Sequence, residues 1–356
     1  MTISVCMIVK NEAKVIARAL RSVLSFADEI ILVDTQSSDS TLKIAKNFPV
    51  KIYHFPWCDD FSKARNFSFS KATKDFILWL DADDYIPLKE QQKIIHLKSI
   101  PSKSAPDCIM TNYYITPNFF YPRERILRNH FGFVWEEPVH EVITPKGNIA
   151  HLNINIYHKK ISLKPSSRNL KIYTKLKKSQ APFSPRAMYY YARELYFHKF
   201  YKSAIIWLNK FLKTNGWIQN KIDACHILSD CYLNLNDFQK ALTTLLKTLS
   251  FSPPSAKTCC YLANIFFIQN DLNSAIYWYT HALTIPTPTQ GWIEPNYNTL
   301  IPALQLCVCY FHKKDYKTSY HYHKLSQKFN PSTPQVLHNK NFFKSFLGST
   351  QTRQRK

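Results

Sequence analysis

Glycine is almost missing from this chain: there are five in 356 residues. That excludes collagen-like and Gly-rich linker architectures, and it leaves no GxGxxG turn to cradle a dinucleotide. Long apolar runs are missing too. Nowhere do about 18 apolar residues follow one another, as a membrane-crossing helix requires. The apolar stretch Ile3–Val9 is too short for a secretory signal and runs straight into Lys10-Asn11-Glu12. Cysteine is present without a pairing pattern. Of the nine, an odd number, six (Cys225, Cys231, Cys259, Cys260, Cys307, Cys309) lie in apolar helical stretches, and one residue separates Cys307 from Cys309 where a zinc or redox pair has two. A reduced, cytoplasmic chain is expected.

Acidic residues are scarce in one half only. Residues 1–150 hold 19 basic and 17 acidic side chains, whereas 151–356 hold 28 and 7, so nearly all of the net charge of +23 sits in the second half. That division suggests chemistry in the first half and attraction of something anionic by the second: an acidic polypeptide, nucleic acid or a lipid surface. Lysine kept for solubility is the other reading.

A length of 356 residues sets two domains as the starting point. Over the first 120 residues strand and helix signals alternate. Residues 3–9 and 29–33 are rich in β-branched side chains, and 76–80 are wholly apolar. Helical periodicity marks Val15, Ile16, Ala19, Leu20 and Val23, then 41–48 and 63–71. This is the pattern of a parallel α/β sheet, whose ligands sit beyond the carboxyl ends of its strands. From about residue 185 only helices are signalled, and they repeat. Ala204, Ala241, Ala275 and Ser319 align at spacings of 37, 34 and 44. Ahead of them stand Met188/Tyr191/Ala192, Cys225/Leu228/Ser229, Cys259/Leu262/Ala263 and Ala303/Leu306/Cys307, and Pro253, Pro286 and Pro331 close the units. These positions resemble tetratricopeptide repeats, in which bulky and then small residues let paired helices meet.

Three strand ends carry polar groups that converge on one edge: Lys10-Asn11-Glu12 after the first strand, Asp34 after the second and Asp81-Ala82-Asp83-Asp84 after Leu80. Asp81-Ala82-Asp83-Asp84 crowds three carboxylates behind a buried strand, where they raise one another's pKa unless a cation is bound. That calls for Mg²⁺ or Mn²⁺, its shell completed by the phosphates of a nucleotide diphosphate. The alternative is that one Asp caps the next helix and the others are solvated. Asp34, ending the second strand, is placed to accept hydrogen bonds from a base N–H or ribose hydroxyls, while Asp39 or Ser40 reads as a helix cap.

Four stretches occur in a telling order: Cys6-Met7-Ile8-Val9-Lys10-Asn11-Glu12, then Asp28-Glu29-Ile30-Ile31-Leu32-Val33-Asp34-Thr35-Gln36-Ser37-Ser38-Asp39-Ser40-Thr41, then Phe61-Ser62-Lys63-Ala64-Arg65-Asn66, then Leu78-Trp79-Leu80-Asp81-Ala82-Asp83-Asp84. With them the chain resembles the family-2 glycosyltransferases of the GT-A fold. The resemblance is dense over residues 3–85. It continues thinly through Arg125-Ile126-Leu127-Arg128, Val139-His140-Glu141 and Ile156-Tyr157-His158. Gln36 stands where the family usually has Gly, which should stiffen the turn and narrow the nucleotide pocket. With repeats behind it, the front end resembles peptide S-glycosyltransferases that modify a cysteine of a bacteriocin precursor; lipopolysaccharide-core glucosyltransferases have a similar front end without repeats.

The resemblance implies roles. Asp34 would take the uracil, Lys10 and Glu12 would frame the nucleoside, and Arg65 would face the base or diphosphate. Asp83 would bind the metal directly, Asp81 would lie by the ribose and the metal's waters, and His158 would be a third ligand or a diphosphate contact. For the general base the candidates are Glu136, Glu137, His140 and Glu141, and Glu141 is the choice. Trp135 reads as a core aromatic before an acceptor platform.

The expectation is therefore a metal-dependent, inverting transferase. A GT-A α/β domain over 1–160 is followed by a basic connecting helix or linker over 161–184, tetratricopeptide-like repeats over 185–334 and a frayed basic tail over 335–356. The expected donor is a UDP-sugar with Mn²⁺ or Mg²⁺, and the acceptor is a Cys or Ser/Thr side chain of an acidic peptide or protein. The basic half would reach an anionic membrane surface at the inner face, and the repeats offer a route to oligomers. The rivals are a lipid-linked or lipopolysaccharide acceptor, and an inactive repeat protein binding RNA or an acidic protein; with the carboxylate cluster intact, nucleic acid is not expected.

Overall fold

Residues 1–117, 119–159, 167–287 and 293–353 are described by the computed structural model, with side chains through residue 346. One compact unit spans Met1–Phe183, and a second comprises Ser184–Thr289 and Ile293–Lys356.

In the first unit, strands β1 (Ile3–Val9), β2 (Glu29–Asp34), β3 (Lys51–His54) and β4 (Phe76–Trp79) alternate with helices α1 (Ile16–Arg21), α2 (Thr41–Ala45) and α3 (Phe61–Phe69). Then follow β5 (Asp84–Tyr85), α4 (Leu88–Leu97), β6 (Cys108–Thr116), β7 (Phe119–Arg128), β8 (Ile149–His158) and α5 (Arg168–Lys178). The eight strands form one sheet in the order β3-β2-β1-β4-β7-β6-β8-β5. The first four are parallel, as the alternation predicts. The pattern then breaks: β6 and β7 form an antiparallel hairpin, and β7 enters the sheet antiparallel beside β4. The cause is local, since only residues 117–118 separate two β-branched and aromatic runs, too short a connection for a crossover helix. Apolar strands fit a sheet buried on both faces. Ile3, Val5, Met7 and Val9 of β1 join one core with Phe76 and Leu78, while Cys6 joins the other with Ile31, Val33, Ile77 and Trp79.

The second unit pairs α6 (Pro185–Phe197) with α7 (Tyr201–Leu212), α8 (Ile218–Asn234) with α9 (Phe238–Leu246), α10 (Ala256–Ile268) with α11 (Leu272–Thr284) and α12 (Leu300–His312) with α13 (Tyr316–Phe329). The small residues that align the repeats, Ala204, Ala241, Ala275 and Ser319, are all fully buried, as are Ala192, Ser229 and Ala263. The turn inside three of the pairs is the same device. A left-handed residue (Asn236, Asn270, Lys314) precedes an Asp (Asp237, Asp271, Asp315) whose carboxylate accepts the amide three residues on, at 3.0–3.1 Å. In the first pair Lys199 is left-handed but Phe200 follows, without a side-chain cap.

Successive first helices are tied across a 34-residue step: Tyr189 Oη donates to Asp223 at 2.6 Å and Tyr196 Oη to Asp230 at 3.1 Å. Lys257 lies 3.5 Å from Asp223 and 2.8 Å from Glu294. The stretch after Pro334, expected to fray, is instead helical as α14 (Pro334–Arg353). Val336 and Phe343, seven residues apart and therefore on one face, are buried, so the helix covers the last pair. Residues 354–356 of the expected tail lie outside the described residues. Among the described residues no helix is long and apolar enough to cross a membrane.

Candidate active site at the carboxyl edge of the sheet

Parallel register sets the ends of β1 and β2 level, Val9 opposite Asp34, while β4 ends opposite Cys6, so that the residues after Trp79 run alongside the end of β1. The loop after β1 is then clasped to the loop after β2. Asn11, itself left-handed, accepts the Ser38 and Asp39 amides through Oδ1 (2.7 and 3.3 Å), its own amide donates to Ser37 Oγ at 3.0 Å, and the Glu12 amide donates to Thr41 Oγ1 at 2.7 Å. Asp34 is buried and accepts the Ser37 amide at 3.1 Å, with His54 Nδ1 3.6 Å away. Gln36 between them takes φ +71°, the region for which glycine is suited. Lys10 is exposed, its amine 6.0 Å above the Trp57 ring.

Two strands from β2, a step of about 10 Å, β4 delivers the carboxylates. Arg65 of α3 is 7% exposed. Its Nε donates to Glu141 Oε1 and its Nη2 to Asp81 Oδ1, both at 2.7 Å, and the guanidinium lies 4.7 Å from the Trp135 ring and 5.2 Å from Trp79. Asp60 makes this possible by capping α3, accepting the Lys63 amide. The next residue along, Asn66, exchanges two hydrogen bonds with the Trp135 backbone (2.8 and 2.9 Å), so α3 holds the loop that carries Glu141. Trp135 is buried. Burial pushes the Asp81 carboxyl up, but Arg65 and then Arg125 outweigh it and hold it at about 2.

Asp83, Asp84 and His158 converge, their ligand atoms all within 4.8 Å of one another. The cause is sheet pairing: β5 runs antiparallel to β8 with Asp84 opposite His158. Arg18 of α1 braces the turn by donating to the backbone oxygens of Asp83 and Lys159 (2.9 and 2.7 Å). Burial raises the Asp83 carboxyl above its ordinary value; His158 opposes this, and Asp81 and Asp84 add to it. Burial lowers the His158 ring, but its bond to Asp84 and the charge of Asp83 prevail, so it is raised. Asp84 is wholly buried against wholly buried Arg125 (3.1 Å) and accepts from Tyr113 Oη at 2.8 Å. None of the three aspartates caps a helix; Pro87 precedes α4 as its N-cap residue, without a side-chain cap.

The structure thus brings Asp81, Asp83, Arg65, Glu141 and His158 into one linked group, with Lys10, Glu12 and Asp34 at the neighbouring strand ends. Two carboxylates and an imidazole offer donors for a divalent cation, and the charges of Asp81 and Asp84 add to the burial that raises the Asp83 carboxyl. Sequence reasoning gave no role to Asp84, Tyr113 or Arg125. The signal available was Asp84's place in the carboxylate run and Arg125's in the quoted arginine stretch.

Residues 4–162 match the model of the family described as glycosyl transferase family 2. The chain is 28% identical over 305 residues to the SPbeta prophage-derived glycosyltransferase SunS of Bacillus subtilis (strain 168), covering 80% of this chain and 71% of that one. A TPR repeat-containing protein of Synechococcus elongatus is 35% identical over 141 residues, 40% of this chain and 35% of that one. Among solved structures, S. aureus TarS 1–349 in complex with UDP-GlcNAc aligns over 82% of this chain and 96% of that one, with 13% identity and a TM-score of 0.39.

Proposed function

Since residues 4–162 are a family-2 glycosyltransferase domain of GT-A fold, followed by tetratricopeptide-like repeats, the chain is a glycosyltransferase, and from that premise we propose that it carries a sugar from a UDP-sugar to a Cys or Ser/Thr side chain of a peptide or protein, with inversion. The observation that carries this reading is the Asp83–Asp84–His158 cluster in the run that follows β4, a strand itself two from β2 and the buried carboxylate of Asp34. Asp34 would accept from the base, with Lys10 and Glu12 beside it, and the diphosphate would extend toward Asp83. Asp83 and His158 would hold Mn²⁺ before Mg²⁺, with Asp81 next to them; when bound, the ion neutralises charge on the leaving diphosphate.

Glu141 would take the acceptor proton. Its Oε1 is committed to Arg65, which leaves Oε2 for that task. A thiol, ionising near neutral pH, asks least of such a base, so Cys is the preferred acceptor. The basic second half would raise the local concentration of an acidic acceptor segment. The test is hydrolysis of a panel of nucleotide sugars with Mn²⁺ and with a chelator. A UDP-sugar turned over only with the metal is expected. Preference for another nucleotide, or metal-independent turnover, overturns the reading.

A further inference from the structure

We infer that Tyr113, Asp84 and Arg125 are positioning residues that fix the tautomer and ring of His158, so that His158 meets a divalent cation through Nε2 while Asp84 stands behind the ligands instead of among them. The inference rests on the reading above of Asp83 and His158 as metal-holding residues.

The proton accounting is closed. Tyr113 Oη has one proton and donates it to Asp84 Oδ1 at 2.8 Å, so toward His158 Nδ1, 3.1 Å away, it offers a lone pair. Asp84 Oδ1 itself lies 3.1 Å from Nδ1, and Asp83 Oδ1 lies 3.4 Å from it. All three neighbours of Nδ1 are acceptors, so Nδ1 carries the proton and the lone pair of the neutral ring belongs to Nε2. A ligating histidine whose other N–H is fixed by a carboxylate is the general arrangement at metal sites.

Asp84 is spent on this task. Its Oδ1 serves Tyr113 and His158; its Oδ2 accepts the Asp81 amide at 3.3 Å and faces the charge of Arg125 Nη2 at 3.1 Å, a contact without hydrogen-bond geometry. Of the about four lone-pair sites of a carboxylate, three are hydrogen-bonded, and the buried charge of Arg125 faces the oxygen that bears the fourth, so a cation there would be set against that guanidinium. Arg125 cannot readily yield: it is wholly buried, 3.6 Å from the Trp79 ring and 4.2 Å from Tyr113. Asp83, by contrast, is partly open, with its Oδ1 3.4 Å from His158 Nδ1.

The experiment uses the full chain and Mn²⁺ alone, following affinity by EPR titration and the imidazole nitrogen by its ¹⁴N coupling. Wild type should show the coupling and His158→Ala should lose it. Asp83→Asn should abolish binding. Tyr113→Phe, a mild change whose fold is checked by melting, should weaken Mn²⁺ by about 10- to 100-fold and alter the coupling, as loss of an outer partner does; Asp84→Asn should behave in the same way. Tyr113→Phe with wild-type affinity and coupling overturns the inference, and so does Asp84→Asn that loses binding as completely as Asp83→Asn. Both results leave the metal reading standing. Wild type that binds no Mn²⁺ overturns both.

Discussion

The two units spend their acidic side chains in opposite ways. In the first, the run holding Asp81, Asp83 and Asp84 and the distant Glu141 gather in one group, where Arg65, Arg125 and His158, also from separate points of the sequence, meet them. In the second half only seven acids exist. Three cap second helices at equivalent places, and three more, Asp223, Asp230 and Glu294, bond first helices or their flank to a neighbour. The first helices α6, α8, α10 and α12 hold four basic and three acidic residues, against six and none in α7, α9, α11 and α13. Basicity therefore gathers on the second helices, and an acidic partner would find its charge complement there. Convergent charge is electrostatically costly and is kept where chemistry needs it; repeated local charge stabilises one turn at a time.

The sharpest break of that contrast is Asp83→Asn. Transfer should fall about 10³-fold or more, the scale of losing one preorganised electrostatic group. Stability should not fall. The folded carboxyl is raised above its unfolded value, so at pH 7 its charge is disfavoured by the fold, and removing it relieves the apoprotein. Turnover assays and thermal melts on the same preparation check both halves. A lower Tm would mean that Asp83 is a structural group like the caps of the second unit.

Next in size is Arg65→Met. It leaves Asp81 and Glu141 without their buried partner, which should cost about 3–5 kcal/mol, confined to the first unit. Hydrogen exchange should speed up in α3 and the Trp135–Glu141 loop while the repeat helices keep their protection. Uniform loss of protection would deny the two units their independence.

How much of this was legible follows from the range of each contact. Repeat register was readable because it depends on small residues at fixed steps, and all four alignment positions proved fully buried. The strand ends at Asp34 and Asp81 were readable because a strand and the turn behind it are contiguous. What brings His158 to Asp84 is strand pairing across 74 residues, and what brings Glu141 to Arg65 is a loop 76 residues away. Neither leaves a local pattern. The resemblance put Arg65 toward the base or diphosphate; the structure shows two of its nitrogens bound by carboxylates. Among three adjacent aspartates, sequence offered no ground to separate Asp84, because only burial distinguishes it.

A smaller effect probes the second unit alone. Burial, aided by Lys257, holds the His226 ring near a pKa of about 3, below its ordinary 6.5, with Nε2 3.0 Å from Thr258 Oγ1. Between those values the unfolded chain binds one more proton than the folded one. Stability therefore falls as pH drops below about 6.5, at roughly 1.4 kcal/mol per unit from this group. Urea melts of wild type and His226→Gln between pH 7 and 5 should differ in slope by that one proton. Parallel curves would place the ring in contact with water.

The smallest effect tests the contrast most directly, because one substitution can be made in both units. Asp271 and Asp60 are both N-caps whose carboxylates accept the amide three residues on, at 3.1 Å. Replacing either with Ala should cost about 1 kcal/mol of stability, read as a shift in urea midpoint at constant slope. The consequences should then part. Helix α11 carries no residue of the candidate site, so Asp271→Ala should leave kcat and KM at wild-type values. Helix α3 carries Arg65, whose two carboxylate bonds fix Asp81 and Glu141, and a frayed first turn lets that guanidinium shift. A misplacement of that kind lowers turnover far more than it lowers stability, so Asp60→Ala should reduce kcat several-fold with little change in donor KM. Equal kinetics in the two variants would show that α3 holds Arg65 by its packing on Trp79 and Trp135, with the cap no more than another local stabiliser.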